Sequence, residues 1–216
     1  MKKKIIDPYI DNRYFILKNK LGITNGEKLK KAESDFVTDR IAEILRNMHF
    51  EPLLKLHKYM FSDVYDFAGY YRVIHIEKPE SVLHGWSVEY AEPENISKEV
   101  EDIFKTIRET DFYSLNNDEK IDYVTKTLVE LWKTHPFREG NTRTSLVFLR
   151  CFLKSYGIEF DTNLFKNQKT YEYTRDALVA ASFESKDFNV ERNYAYIRRL
   201  ISDIMKDSLE NNKKKQ

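Results

Sequence analysis

Two stretches of helical period flank a proline near the middle of this chain. The ten residues between them are His135-Pro136-Phe137-Arg138-Glu139-Gly140-Asn141-Thr142-Arg143-Thr144. Ahead of them, Ile121, Val124, Leu128, Leu131 and Trp132 recur at spacings of three and four, which puts them on one face of a helix from about Glu119 to Lys133. Asn117 and Asp118 can cap its start, because a short polar side chain accepts the free amides of a first turn. Pro136 has no N–H and restricts the residue before it, so that helix must end near His135. Beyond Asn141 the pattern is helical again and more apolar, through Leu146, Val147, Leu149, Phe152 and Leu153, and stops at Gly157. The ten residues therefore form a tight junction between two helices.

That junction suits a phosphate. The first amides of a helix lack internal partners and carry the positive end of its dipole. Gly140 lets backbone approach a ligand closely. Arg143, one turn into the second helix, offers a fork of donors that matches phosphate oxygens. Glu139 is the kind of hard oxygen ligand that Mg2+ takes when it also holds substrate phosphates. His135 titrates near neutral pH and can accept a proton from a hydroxyl. Base, metal ligand, anion cradle and arginine together describe phosphoryl or nucleotidyl transfer from a magnesium nucleotide.

The pattern His-Pro-Phe-x-Glu-Gly-Asn-x-Arg also resembles the signature of the Fic (filamentation induced by cyclic AMP) family. The resemblance extends upstream, to Leu17-Lys18-Asn19-Lys20-Leu21-Gly22-Ile23, to His57-Lys58-Tyr59-Met60-Phe61, to Asp63 through Gly69, and to Arg72 with Ile74-His75-Ile76. It covers about residues 8 to 205 and implies an all-α bundle of about eight helices with a β-hairpin flap. It further implies a protein adenylyltransferase that moves AMP from ATP, with Mg2+, to a hydroxyl side chain of a protein. In that scheme His135 is the general base and Glu139 holds Mg2+. Gly140, Asn141 and the amide of Thr142 form the anion hole, Arg143 contacts the outer phosphates, and buried Phe137 anchors the loop. The flap, with Ile74, His75 and Ile76, would dock an extended target segment by strand addition.

Two positions depart from the family pattern. Thr142 stands where Gly is usual, or Lys in the Doc (death-on-curing) branch, and Leu146 stands where a second arginine is usual. Both substitutions leave transfer of the terminal phosphate, as in the Doc branch, open as an alternative. A non-catalytic module that docks peptides along the flap is another. Many family members are switched off by a helix carrying Ser/Thr-x-x-x-Glu-Gly/Asn. Glu210-Asn211 has that ending, but Lys206 occupies the Ser/Thr position. Control by a separate antitoxin-like chain, as in a toxin–antitoxin pair, by self-association, or no control at all is the expectation instead.

The rest of the chain frames the junction. Its 216 residues suffice for one full core, arranged as a lead-in over 1–26, a body over 27–206 and a polar tail over 207–216. A net charge of +1 with both signs interspersed argues against a nucleic-acid partner. A single cysteine, Cys151, excludes a disulfide framework and reads as a core residue. The apolar runs are too short to span a membrane and the Lys-rich start lacks an apolar signal core, so the expectation is cytoplasmic, with export as an effector the other option.

Helices are predicted over 27–47, with Leu29, Ala32, Phe36, Ile41, Ile44 and Leu45 inward, over 50–60, and over 96–108 capped by Asn95. Leu164-Phe165, Tyr171 to Phe183 and Val190 to Met205 also follow the helical period. Residues 71–90 are β-prone at both ends and read as the flap hairpin. His57 reads as a packing residue at a helix surface; His75, His84 and Trp86 read as flap packing or target contacts. By resemblance Tyr171, Tyr173 and Tyr194 are candidates for contact with the adenine base, with core packing as the alternative.

Overall fold

The computed structural model describes residues 7–47, 52–159 and 167–213. A two-stranded antiparallel hairpin, β1 (Ile10–Asp11) and β2 (Ile16–Leu17), comes first, with Ile10 opposite Leu17. Seven α-helices follow among the described residues: α1 (Gly26–Asn47), α2 (Leu53–Phe61), α3 (Ile96–Glu109), α4 (Asn117–Thr134), α5 (Asn141–Ser155), α6 (Gln168–Ser182) and α7 (Ala195–Lys213). Leu164, Phe165 and Phe50 lie outside the described residues.

Helix α4 is central and packs against α3, α5, α6 and α7. All five residues of its predicted stripe are buried, as are Leu146, Val147, Leu149, Phe152 and Leu153 of α5. Its cap is one residue earlier than predicted. Asn116 accepts the Glu119 amide at 3.0 Å, and the Glu119 carboxylate accepts the Asn116 amide at 2.8 Å. This reciprocal pair satisfies two first-turn donors, which Asn117 or Asp118 could not do.

Three expectations are corrected. The only two-stranded sheet among the described residues lies in the lead-in, a lone antiparallel bridge joins Ser185 and Val190, and residues 71–90 contain no strand pair. At the tip the backbone bonds to itself, the Glu80 amide donating to the Trp86 carbonyl at 3.0 Å and the Gly85 amide to the Glu80 carbonyl at 2.9 Å, and nearer the root side chains take part. Arg72 donates to the carbonyls of Ile74 and Ala91, and Ser87 Oγ accepts the Lys78 amide. A short 3-10 turn, Ser81–Leu83, then closes over buried Glu80. Phe36 is exposed, because the inward stripe of α1 runs Leu29, Glu33, Val37, Ile41 at intervals of four. Finally, α7 continues past Met205 to Lys213, and Leu209 is buried.

Candidate active site

His135 terminates α4 in a left-handed conformation, φ 48°, with its amide donating to the Trp132 carbonyl at 3.1 Å. Pro136 prevents the helix from continuing. The ring is 2% exposed and stacks on Tyr90, centroids 4.0 Å apart, with Trp132 edge-on. Burial, and then the positive charges of Lys78 and Arg72, hold its pKa well below the usual histidine range. The imidazole is therefore neutral at neutral pH and able to accept a proton, and its Nδ1 carries no hydrogen bond in the described structure.

The loop beyond is stitched by Asn141. Its Oδ1 accepts the Phe137 amide at 2.8 Å and its Nδ2 donates to the Phe137 carbonyl at 2.7 Å. Phe137 is fully buried, as predicted. Gly140 takes the N-cap position of α5 at φ 81°, and no side chain caps that end. A Cβ on Gly140 would strike the Phe61 ring, so the position needs glycine for space as well as for backbone angle. Thr142 turns its hydroxyl oxygen to Trp132 Nε1, 2.9 Å away. The residue that replaces the family's glycine thus meets a buried indole donor. Leu146 is buried in the core.

Two charged residues complete the cluster. Glu139 Oε1 accepts the Gly140 amide at 2.8 Å and lies 3.4 Å from Arg143 Nη2. Burial would raise its carboxyl pKa, but Lys78, Arg143 and the Gly140 N–H outweigh that and hold it below the ordinary value. Its Oε2 makes no hydrogen bond among the described residues, so an ionised oxygen is available to a cation, which fits the predicted Mg2+ role. Arg143 lies over the Phe61 ring, 4.9 Å from its centroid. A cleft of about 630 Å3 opens beside these groups, between α1, the lead-in hairpin and the start of α6. Tyr171 lines it; Tyr173 is exposed on α6 and Tyr194 donates toward Glu130 of α4 at 3.4 Å, outside this cleft.

Residues 74–76 lie in a partly exposed segment without regular structure, and the amides of Ile74, His75, Ile76 and Glu77 donate to no described residue. His75 Nδ1 lies 3.1 Å from Glu92 Oε1. Among the described residues no three-ligand metal cluster exists.

The structure brings in three residues that sequence reasoning did not select. His57 is fully buried rather than at a helix surface; its Nε2 lies 3.0 Å from the Glu139 carbonyl and its Nδ1 accepts the Gly69 amide at 2.8 Å. Arg72, also buried, donates to the His135 carbonyl at 2.8 Å, and its own amide donates to the Pro136 carbonyl. Glu33 of α1 meets Arg143. Glu33 and His57 carried a signal, since each is a polar residue inside an otherwise apolar helical stripe.

Residues 47–153 match the sequence profile of the Fic/DOC family. A 159-residue alignment with y4lH of Sinorhizobium fredii, named a probable protein adenylyltransferase, is 30% identical and covers 72% of this chain and 79% of that protein. The chain belongs to the Fic/DOC family. The protein adenylyltransferase VbhT of Bartonella schoenbuchensis is also 30% identical to this Fic/DOC chain, over 92% of its length, though the chain spans only 40% of VbhT. The fold matches that of the VirB-translocated effector BepC of Bartonella tribocorum, solved with AMPPNP bound, at a TM-score of 0.73 and 20% identity over 94% of this chain and 98% of that one. The mainly helical architecture is thus that of the family. No helix among the described residues is long and apolar enough to cross a membrane.

Proposed function

We propose that this Fic/DOC protein is an adenylyltransferase that moves AMP from ATP to a hydroxyl side chain of a protein. The observation that carries this reading is the uncapped start of α5 beside a buried, neutral His135. Phosphate oxygens answer the free amides of that first turn. His135 takes the proton of the attacking hydroxyl, the new bond forms at the α-phosphorus, and pyrophosphate leaves. Glu139 holds Mg2+, which when bound neutralises charge building on the phosphates. Arg143 supplies further positive charge. The unpaired amides of Ile74 to Glu77 support docking of an extended target segment along the flap. The adenylyltransferase names of VbhT and y4lH support the choice of AMP as the transferred group.

The reading locates the reaction in a cytoplasm that supplies ATP and Mg2+, with a separate antitoxin-like chain as the restraint. Growth arrest on expression that disappears with His135→Ala supports that restraint, and harmless expression counts against it.

The test of the reaction uses ATP labelled at the α- or, separately, the γ-phosphate, with Mg2+, a cell lysate and His135→Ala as control. The expected result is α-label on protein, reduced ~10²–10⁴-fold in the variant. Label from the γ-phosphate alone identifies a Doc-like kinase, the reading that Thr142 and Leu146 leave open. Label from neither points to a missing target, a bound inhibitor or a docking module.

A further inference from the structure

Glu33 stands where the pattern of α1 calls for an apolar residue. It lies between Leu29 and Val37 at intervals of four and is 7% exposed. A carboxylate persists in such a place only when its charge and lone pairs are answered. Tyr65 donates its hydroxyl to Oε2, and Arg143 Nη2 lies 2.5 Å from Oε1. Glu139 Oε1 approaches the same nitrogen at 3.4 Å. Both acidic residues therefore meet one corner of the guanidinium. Among the described residues its Nε and Nη1 groups make no hydrogen bond, and the nearest approach of each carboxylate is to Nη2. A blocking carboxylate would occupy the fork; this one occupies a single prong and leaves three N–H groups for another anion.

We propose that Glu33 is a positioning residue that fixes Arg143 at the first turn of α5, so that the remaining edge of the guanidinium meets the phosphates of the nucleotide. The proposal rests on the nucleotide-transfer reading above. Glu33 also shares the charge of Arg143 with Glu139 and so leaves Glu139 Oε2 for a cation. Tyr65 supports the arrangement by holding the other oxygen of Glu33. The guanidinium also lies over the Phe61 ring, a cation–π contact that adds to its hold.

The test compares Glu33→Ala, Glu33→Gln and Tyr65→Phe with the wild type. Titration calorimetry measures binding of a non-hydrolysable ATP analogue with Mg2+ and with EDTA, and steady-state transfer gives kcat and KM. In Glu33→Ala, Arg143 loses its anchor and turns to Glu139. Binding and KM for ATP weaken by about tenfold, the loss expected for one charge-assisted hydrogen bond, while kcat changes less. Glu33→Gln keeps the shape and an acceptor oxygen and recovers binding to within about threefold of wild type. Tyr65→Phe, which keeps the charge, falls between the two and separates positioning from misfolding. Tighter binding or faster transfer in Glu33→Ala would overturn the proposal and make Glu33 a brake. Equal affinity in all four proteins would overturn it as well. Wild-type protein that binds the analogue but transfers nothing counts against the transfer reading alone, and the affinity ratios still decide the role of Glu33.

Discussion

At the scale of single residues, His57 ties together two segments that must not move. Its Nδ1 accepts the Gly69 amide, so the ring proton is on Nε2, which donates to the Glu139 carbonyl. The ring lies flat on Phe137, centroids 3.7 Å apart. Burial lowers its pKa from 6.5 to about 4. The unfolded chain therefore binds a proton at this residue between those two values and the folded chain does not. Stability is full above pH 6.5 and falls as the pH drops towards 4, by up to about 3 kcal/mol from this group. His57→Leu should flatten that part of the stability-versus-pH curve. It should also lower stability at pH 7 by about 2–5 kcal/mol, because the Gly69 amide and the Glu139 carbonyl lose their partners inside the protein. Thermal melts of both proteins across that pH range read the two effects. Gly140→Ala should cost about 3 kcal/mol, combining a strained backbone with a collision against Phe61, and abolish transfer. Retained activity in a normally melting Gly140→Ala protein would refute the tight packing of the loop.

At the scale of elements, the flap is held from both ends without a β-ladder. At its root, Arg72 binds three carbonyls, those of His135, Ile74 and Ala91. At its tip, the carboxylate of Glu80, 2% exposed, pairs with Arg175 of α6, and Trp86 meets Phe188 edge-on at 5.2 Å. The tip bond is expected to control mobility of the flap, while the root bond ties it to the signature loop. Arg175→Ala leaves a buried carboxylate unpaired, so amide exchange over residues 80–86 should speed by at least ~10-fold. KM for the protein target should rise while KM for ATP stays unchanged. Hydrogen-exchange mass spectrometry and kinetics with each substrate varied separately measure these outcomes; unchanged exchange would show that the tip is held elsewhere.

At the scale of the whole molecule, the lead-in is part of the site. Asp7 Oδ2 accepts from Nε and Nη2 of Arg138, at 2.9 and 2.8 Å, across 131 positions of sequence. The Tyr9 hydroxyl accepts the Val73 amide, and the Lys20 amide donates to the Val64 carbonyl. The strap therefore touches the signature loop, the flap and the turn between α2 and the flap. Asp7→Ala should remove roughly 1 kcal/mol and lower Tm by about 2–4 °C in a chain of this size, with the difference shrinking at high salt. Equal Tm values at low salt would mean that the strap contributes nothing to the loop.

The apolar periods of α4 and α5, with Pro136 between them, determined on their own that two helices meet at a junction bearing His135, Glu139 and, in the first turn of α5, Arg143. These are local facts, because helical period and proline geometry act over a few residues. The tertiary structure decided what that loop rests on. Glu33, His57, Arg72 and Asp7 come from segments 63 to 131 positions away, and no local pattern says which loop atom a distant side chain will reach. Tertiary packing also overrode β-propensity in residues 71–90. There the Arg72 guanidinium takes the Ile74 carbonyl, Ser87 Oγ takes the Lys78 amide, and Glu80 to Trp86 close in a tight turn instead of a ladder. Backbone turn bonds at the tip and side-chain hydrogen bonds at the root, rather than a strand ladder, give the flap its shape.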